Sequence, residues 1–415
     1  MYDFANSGYT TVVLTAVFNA YFVGVVAGGL ETGDATALWT MIIAVGNALV
    51  LLSAPVVGAI ADHRAAKKPF LLIATVTCVA ATALLALAGA GDVGLAAVLV
   101  IVSLVMFATG ENLISAFLPE LATEEDMGRV SGYAWGVGYL GGLATLGLSL
   151  AYITWAQGRG DTAEDFVPVT LLLTAVIYAA AATVTFLWLR ERATPSVLPP
   201  GQTALRAAFE ELRRTFARAR RFQDLIRFLV SLVVYQAAIA TVFVVAAIYA
   251  QEQLGFATDE IIVLILVVNV TAAVGAVVIG QLQDRLGSKV ALSLALALWI
   301  AALLLMLAFE TRPAVWVAAN LIGLAMGACQ AGGRALVAHF TPPARQGEFF
   351  GLWGLAVNLA AIIGPLSYGF IVLLSDGDQR PALFSTLFLF IVGWVLLLRV
   401  DEARGKRSAL QNGPA

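Results

Sequence analysis

Six charged residues stand at or inside the ends of long apolar runs: Asp62, Glu111, Arg129, Asp284, Arg334 and Glu348. Their types and spacing fit one chemistry, ion pairing that can be made and broken. Gly58-Ala-Ile-Ala-Asp62 returns as Gly280-Gln-Leu-Gln-Asp284, 222 positions later, and each aspartate is followed five residues on by a lysine, Lys67 or Lys289. Glu111 and Arg334 are 223 positions apart, and Gly128-Arg129 matches Gly347-Glu348 at an offset of 219. The repeat predicts two clusters, Asp62–Arg129–Glu111 and Asp284–Arg334–Glu348, each within one half of the chain. A buried arginine can satisfy two carboxylates through its fixed fork of donors. Loss of one member strands a charge, at a cost of about 3–5 kcal/mol. Such clusters suit an inner gate that locks and releases; static stabilisation of each half is the plainer alternative.

A second set is polar without charge: Asn19, Asn47, Tyr139, Tyr235, Gln236, Asn269, Gln330 and Asn358. Counting about 1.5 Å per residue from the helix ends places most of them near mid-membrane, with Asn19 nearer the outer face and Gln330 nearer the inner. Polar groups in lipid are costly, so they turn towards a bundle interior or a wet cavity. Amides and phenols bond a solute without net charge, which suits a neutral or zwitterionic substrate. Each could instead pair with a neighbouring helix. Asp3 and Asn6 stand at the inner end of the first span, placed to cap it or to help close an inner gate.

Other chemistries find no support. There is no Gly-x-x-x-x-Gly-Lys-Ser/Thr phosphate loop, and no metal-ligand cluster or nucleophile–base set. His63 and His339 read as loop residues, and Cys78 and Cys329 as buried inert thiols. Neither an enzyme, a cofactor, a metal nor a nucleic-acid partner is expected.

The elements that must position these residues are transmembrane helices. The chain has 415 residues, of which 60% are hydrophobic and only 12% charged, and apolar runs of about 20 residues recur throughout. Spans are predicted over 3–28, 36–60, 69–90, 93–117, 129–156, 167–189, 223–250, 259–283, 289–309, 313–338, 346–374 and 381–399. The fold class is an all-α membrane protein of twelve helices in two pseudo-symmetric six-helix halves, 1–189 and 223–400. The interiors of the third, sixth, ninth and twelfth spans carry no charged or amide side chain, which makes them lipid-facing supports. Between the halves lies a basic linker, 190–222, whose Leu205, Phe209, Leu212 and Phe216 recur at helical spacing. That pattern predicts an amphipathic helix lying on acidic lipid headgroups. Residues 401–415 form a cytoplasmic tail, whose polar part from Arg404 to Ala415 is expected to be disordered. If the N-terminus is cytoplasmic, inner loops and tail hold twenty lysines and arginines and outer loops three. The positive-inside rule therefore puts both termini in the cytoplasm of a plasma (inner) membrane protein. No basic region precedes the first apolar run, so that run reads as a retained helix.

The paired Gly-x-x-x-Asp loops, the twelve spans and the basic centre resemble the major facilitator superfamily. Tyr2-Asp3-Phe4-Ala5-Asn6-Ser7 is similar to the opening signature of the autophagy-related vacuolar amino-acid effluxer family and its bacterial relatives. Phe117-Leu118-Pro119-Glu120-Leu121, the glycine-rich stretch from Ser131 to Gly142, Gln330-Ala331 with Arg334, and Glu348 to Leu352 with Gly364-Pro365 resemble further segments of that family. The resemblance implies a secondary transporter of a small-molecule substrate, an amino acid first; a monomer working by rocker-switch alternating access is expected, with proton coupling through Glu111 and facilitated diffusion as rival ways to drive it. Two readings stand beside it: an efflux carrier for amphipathic compounds, and a non-transporting membrane scaffold or receptor whose linker recruits partners.

Overall fold

The computed structural model describes residues 1–192, 222–254, 258–309, 311–342, 345–375 and 380–411. Every secondary-structure element among them is helical, and twelve helices are long and apolar enough to cross a membrane. They are α1 (Tyr2–Val26), α2 (Thr32–Arg64), α3 (Lys67–Leu84), α4 (Val93–Ser115), α5 (Met127–Gln157) and α6 (Ala163–Trp188) in the first half. The second half holds α7 (Gln223–Leu254), α8 (Thr258–Leu286), α9 (Ser288–Ala308), α10 (Arg312–Phe340), α11 (Gln346–Leu374) and α12 (Arg380–Leu398). An even number of crossings puts both termini on one face, called here the termini face.

Local chemistry sets several helix ends. At the start of α6, Thr162 and Asp165 exchange side-chain and backbone bonds in a capping box. Gly287, with φ of 89°, turns the chain from α8 into α9, a conformation that costs glycine no steric clash. Between Tyr2 and Val26, α1 widens twice, over Thr10–Ala16 and Phe22–Val26, with Asn19 on the normal turn between them. Such wide turns gather at functional positions.

Two cores hold the halves. The first gathers Tyr9, Phe18, Phe22 and Trp39 with Cys78 and Tyr178; the second gathers Phe228, Tyr235, Trp299, Phe340 and Phe390. Both cysteines are buried, as expected. Ala116, Leu118 and Met127 of the first half join the second core, so the halves are already fused at the termini face.

Three expectations meet the structure differently. The linker helix falls on residues 193–221, outside the described residues. The tail is ordered where it is described: Glu402–Gln411 forms a further helix, α13, with Gly405 and Ala409 buried against the bundle. His63 and His339 lie in the last turns of α2 and α10, not in loops.

Candidate functional site

The two Gly-x-x-x-Asp motifs build a matched pair of joints across the seam. Asp62, at the end of α2, accepts hydrogen bonds from the backbone N–H groups of Gly347 and Glu348, both at 2.9 Å. Asp284, at the end of α8, accepts from Gly128 and Arg129 at 2.7 and 2.8 Å. Each aspartate therefore caps the opposite half's fifth helix, α11 or α5. The free N–H groups and positive dipole end of a helix start favour a carboxylate there, by about 1 kcal/mol or somewhat more. The motif glycines make the approach possible. A Cβ on Gly58 would collide with the Gly347 carbonyl, and one on Gly280 would lie 2.6 Å from the Gly128 carbonyl oxygen.

This overturns the expected within-half clusters. Asp62 does not pair with Arg129, nor Asp284 with Arg334. Arg129 makes an exposed pair with Asp126 at 2.7 Å, and Glu348 binds Arg345 through two bonds of 2.7 Å. The linear repeat identifies equivalent positions correctly, but the seam rather than the half decides which of them meet. Backbone donors at the helix starts take the aspartates that a guanidinium was expected to hold.

Arg334 forms a third contact across the seam. Its side chain is 3% exposed. It bonds the Asp3 carboxylate of α1 at 2.7 Å and lies 3.8 Å from Glu111 of α4. It also donates to the hydroxyl and carbonyl of Ser131, both at 3.3 Å, and sits 5.2 Å above the Trp135 ring. Asn6 donates to the other Glu111 oxygen at 2.5 Å. Glu111 and Arg334 occupy equivalent positions of the repeat, so the two mates face one another near the pseudo-twofold axis.

Lys67 is the fourth. It is 1% exposed, and its ammonium binds Glu120 of its own half and Gln346 at the start of α11. The cross-half contacts named here all lie in the termini-side portions of their helices. The glycines of α5 divide accordingly. Gly128, Gly132 and Gly136 face α8 across the seam, while Gly138, Gly141 and Gly142 face Asp3, Phe4 and Ser7 of α1.

The uncharged candidates separate. Gln236 and Gln330 come together, the Gln236 Nε2 donating to the Gln330 Oε1 at 3.4 Å, and the Gln236 Oε1 is buried without a partner. Tyr139 lies beside Trp135, ring centroids 5.9 Å apart, and packs against the second half's core. Tyr235 is not at the seam: it is fully buried within the second half, with Gly393 of α12 against its Cβ. Asn269 and Asn358 each donate to the carbonyl four residues back, at 2.8 Å, rather than to a neighbouring helix. Asn19 and Asn47 are half-buried on α1 and α2. A separate cavity of about 210 Å³ lies away from these groups, beneath α13, lined by Phe222, Asp224, Phe340 and Arg404 among others.

Several contributors escape sequence reasoning. Ser131 and Lys67 look like an ordinary helix serine and a solvated loop lysine. Glu191, just past α6, accepts from the N–H groups of Lys67 and Lys68 at 2.7 and 3.0 Å. Glu402, just past α12, does the same for Ser288 and Lys289 at 3.3 and 3.1 Å. The two are 211 positions apart, so extending the repeat search past the last spans would have found them.

Comparison with known proteins places this geometry. The family described as "Vacuole effluxer Atg22 like" matches residues 22–410. The uncharacterized MFS-type transporter YxiO of Bacillus subtilis (strain 168) is 28% identical over 411 residues, covering 97% of this chain and 94% of that protein. Autophagy-related protein 22-1 of Penicillium rubens is 27% identical over 310 residues, which are 69% of this chain and only 51% of the fungal protein. Among solved structures, the human organic anion transporter MFSD10 (TETRAN) has the same fold, with a TM-score of 0.74 at 19% identity, covering 95% of this chain and 97% of that one.

Proposed function

Because the chain belongs to the vacuole effluxer Atg22-like family and is an MFS-type transporter, we propose that it carries a small organic solute, an amino acid or similar zwitterion first, by alternating access. The observation that carries this reading is the placement of the joints. The aspartate caps, the Arg334 contacts and the Lys67 contacts all cross the seam on the termini face. Each is a polar contact that can part without unfolding either bundle, and each would re-form as the halves rock back. Gln236, Gln330 and Tyr139 with Asn19 and Asn47, all without net charge, are the groups we assign to hydrogen-bond a zwitterion. The basic residues of the termini face support a cytoplasmic orientation of that face in a plasma (inner) membrane, and proton movement is the coupling we favour.

The test is uptake of a panel of radiolabelled amino acids, sugars and cationic amphiphiles by proteoliposomes holding the full chain. Saturable flux of neutral amino acids, reduced at least tenfold in Gln236→Ala, supports the reading. Flux confined to amphiphiles would replace it with an efflux carrier of such compounds. Absence of any flux, together with a stoichiometric cytosolic partner, would replace it with a scaffold.

A further inference from the structure

We propose that Glu111, beside the Asp3–Arg334 pair, is a proton-binding site that is occupied while the halves are closed on the termini face. The proposal rests on the transporter reading and names its coupling ion and where that ion sits.

A count of charges leads to it. Two carboxyl groups and one guanidinium meet in a buried place, with side chains 8%, 18% and 3% exposed. The groups around them come from four helices. From α1 come Tyr2 and Asn6, from α5 Ser131, Trp135 and Tyr139, from α6 Tyr178, and from α10 Arg334 itself. Of these groups only Arg334 is a cation. It is shared unequally, 2.7 Å from Asp3 and 3.8 Å from Glu111. Glu111 has one oxygen taken by Asn6, and its other oxygen is buried and accepts no hydrogen bond. An arginine keeps its charge inside a protein. A carboxyl group left over when the single cation is committed elsewhere, as Glu111 is here, neutralises itself by binding a proton.

The position of the site gives the proton an exit. Asp3 and Glu111 belong to the first half and Arg334 to the second. Opening on the termini face withdraws the guanidinium and admits water to both acids. A hydrated carboxyl group is ionised at neutral pH, so the Glu111 O–H bond breaks and its proton leaves on that face. Closure restores the pair of acids around one cation and with it the vacancy for one proton. One proton is bound and one released per cycle, with no other bond changed.

Infrared spectroscopy of the full chain in lipid nanodiscs tests this without a substrate. A carbonyl-stretch band of a protonated carboxylic acid is expected near neutral pH. It should vanish in Glu111→Gln and also in Asp3→Asn, because the remaining acid then pairs one-to-one with Arg334. It should persist in Glu164→Gln, an exposed control on α6. Carbon-13 labelling of glutamate or aspartate carboxyls in the unaltered chain should shift the same band, which keeps the test open should a variant fail to fold. Absence of the band from the parent chain, or its survival in Glu111→Gln or in Asp3→Asn, overturns the proton site. A band with no amino-acid flux would sink the substrate reading alone; flux without the band would sink the proton site alone.

Discussion

The two aspartate joints are built on one plan and reinforced differently. Around the Asp62 cap lie buried charges: Lys67 with Glu120 and Gln346, and Arg345 with Glu348, whose side chains are 18% and 2% exposed. Around the Asp284 cap lie surface contacts: Arg129 with Asp126, at 48% and 40% exposure, and Gln281 with Tyr133 at 3.2 Å. Water screens the second set and barely reaches the first. An internal repeat can therefore keep its backbone geometry while its side chains assign unequal strength to the two sides of a gate. The α2–α11 seam is the stiff side and the α5–α8 seam the yielding one.

The comparison can be broken most severely at Arg334, which stands between the two joints. Arg334→Ala should strand two buried acids and lower stability by about 3–5 kcal/mol, read by thermal or denaturant unfolding of the detergent-solubilised chain; a loss under 1 kcal/mol would contradict its placement. Lys67→Met should be nearly as costly, because Glu120 is left buried, whereas Arg129→Ala should change stability by no more than about 1 kcal/mol. Equal losses at these two sites would erase the distinction between stiff and yielding sides. Next come Asp62→Asn and Asp284→Asn. Each weakens a cap by about 1–2 kcal/mol, enough to move a closed–open equilibrium by roughly 5–30-fold. Distances between spin labels on the two halves should lengthen at the termini face in both. The Asp284 variant should open more widely, since less remains to hold its side.

The smallest expected effect concerns α13. Burial works against the charge of Glu402, but the N–H groups of Lys289 and Ser288 and the ammonium of Lys406 hold its carboxyl below the usual glutamate range. A depressed value means that its contribution is complete above the ordinary glutamate pKa of about 4.3 and is lost as pH falls through the lower folded value. Proteolysis of the tail should thus be unchanged between about pH 7 and pH 5 and rise only below about pH 4. Release of α13 nearer neutrality would show that this clasp is not what docks it.

The sequence made the membrane helices, the basic centre and the repeat legible, because length, apolarity and spacing are properties of the chain in one dimension. It also identified Asp62, Asp284, Glu111 and Arg334 as a related set. It did not disclose their partners. Whether a carboxylate meets a guanidinium or the bare start of a helix depends on how the halves are rotated about their shared axis, and no spacing records that. Asn269 and Asn358 show the same limit: an amide that returns to its own helix reads in sequence like one aimed at a solute. The order in Glu402–Gln411 was hidden because a short polar segment carries no burial pattern, and its docking rests on Arg404 reaching Asp224 at 2.5 and 2.7 Å.

Glu191 and Glu402 fasten the exit of each six-helix bundle back onto its own third helix. Each bundle thus seals its own hem and does not depend on the peptide connection between them for closure. Two separately translated fragments, cut within the basic stretch, should find each other in the bilayer and reassemble.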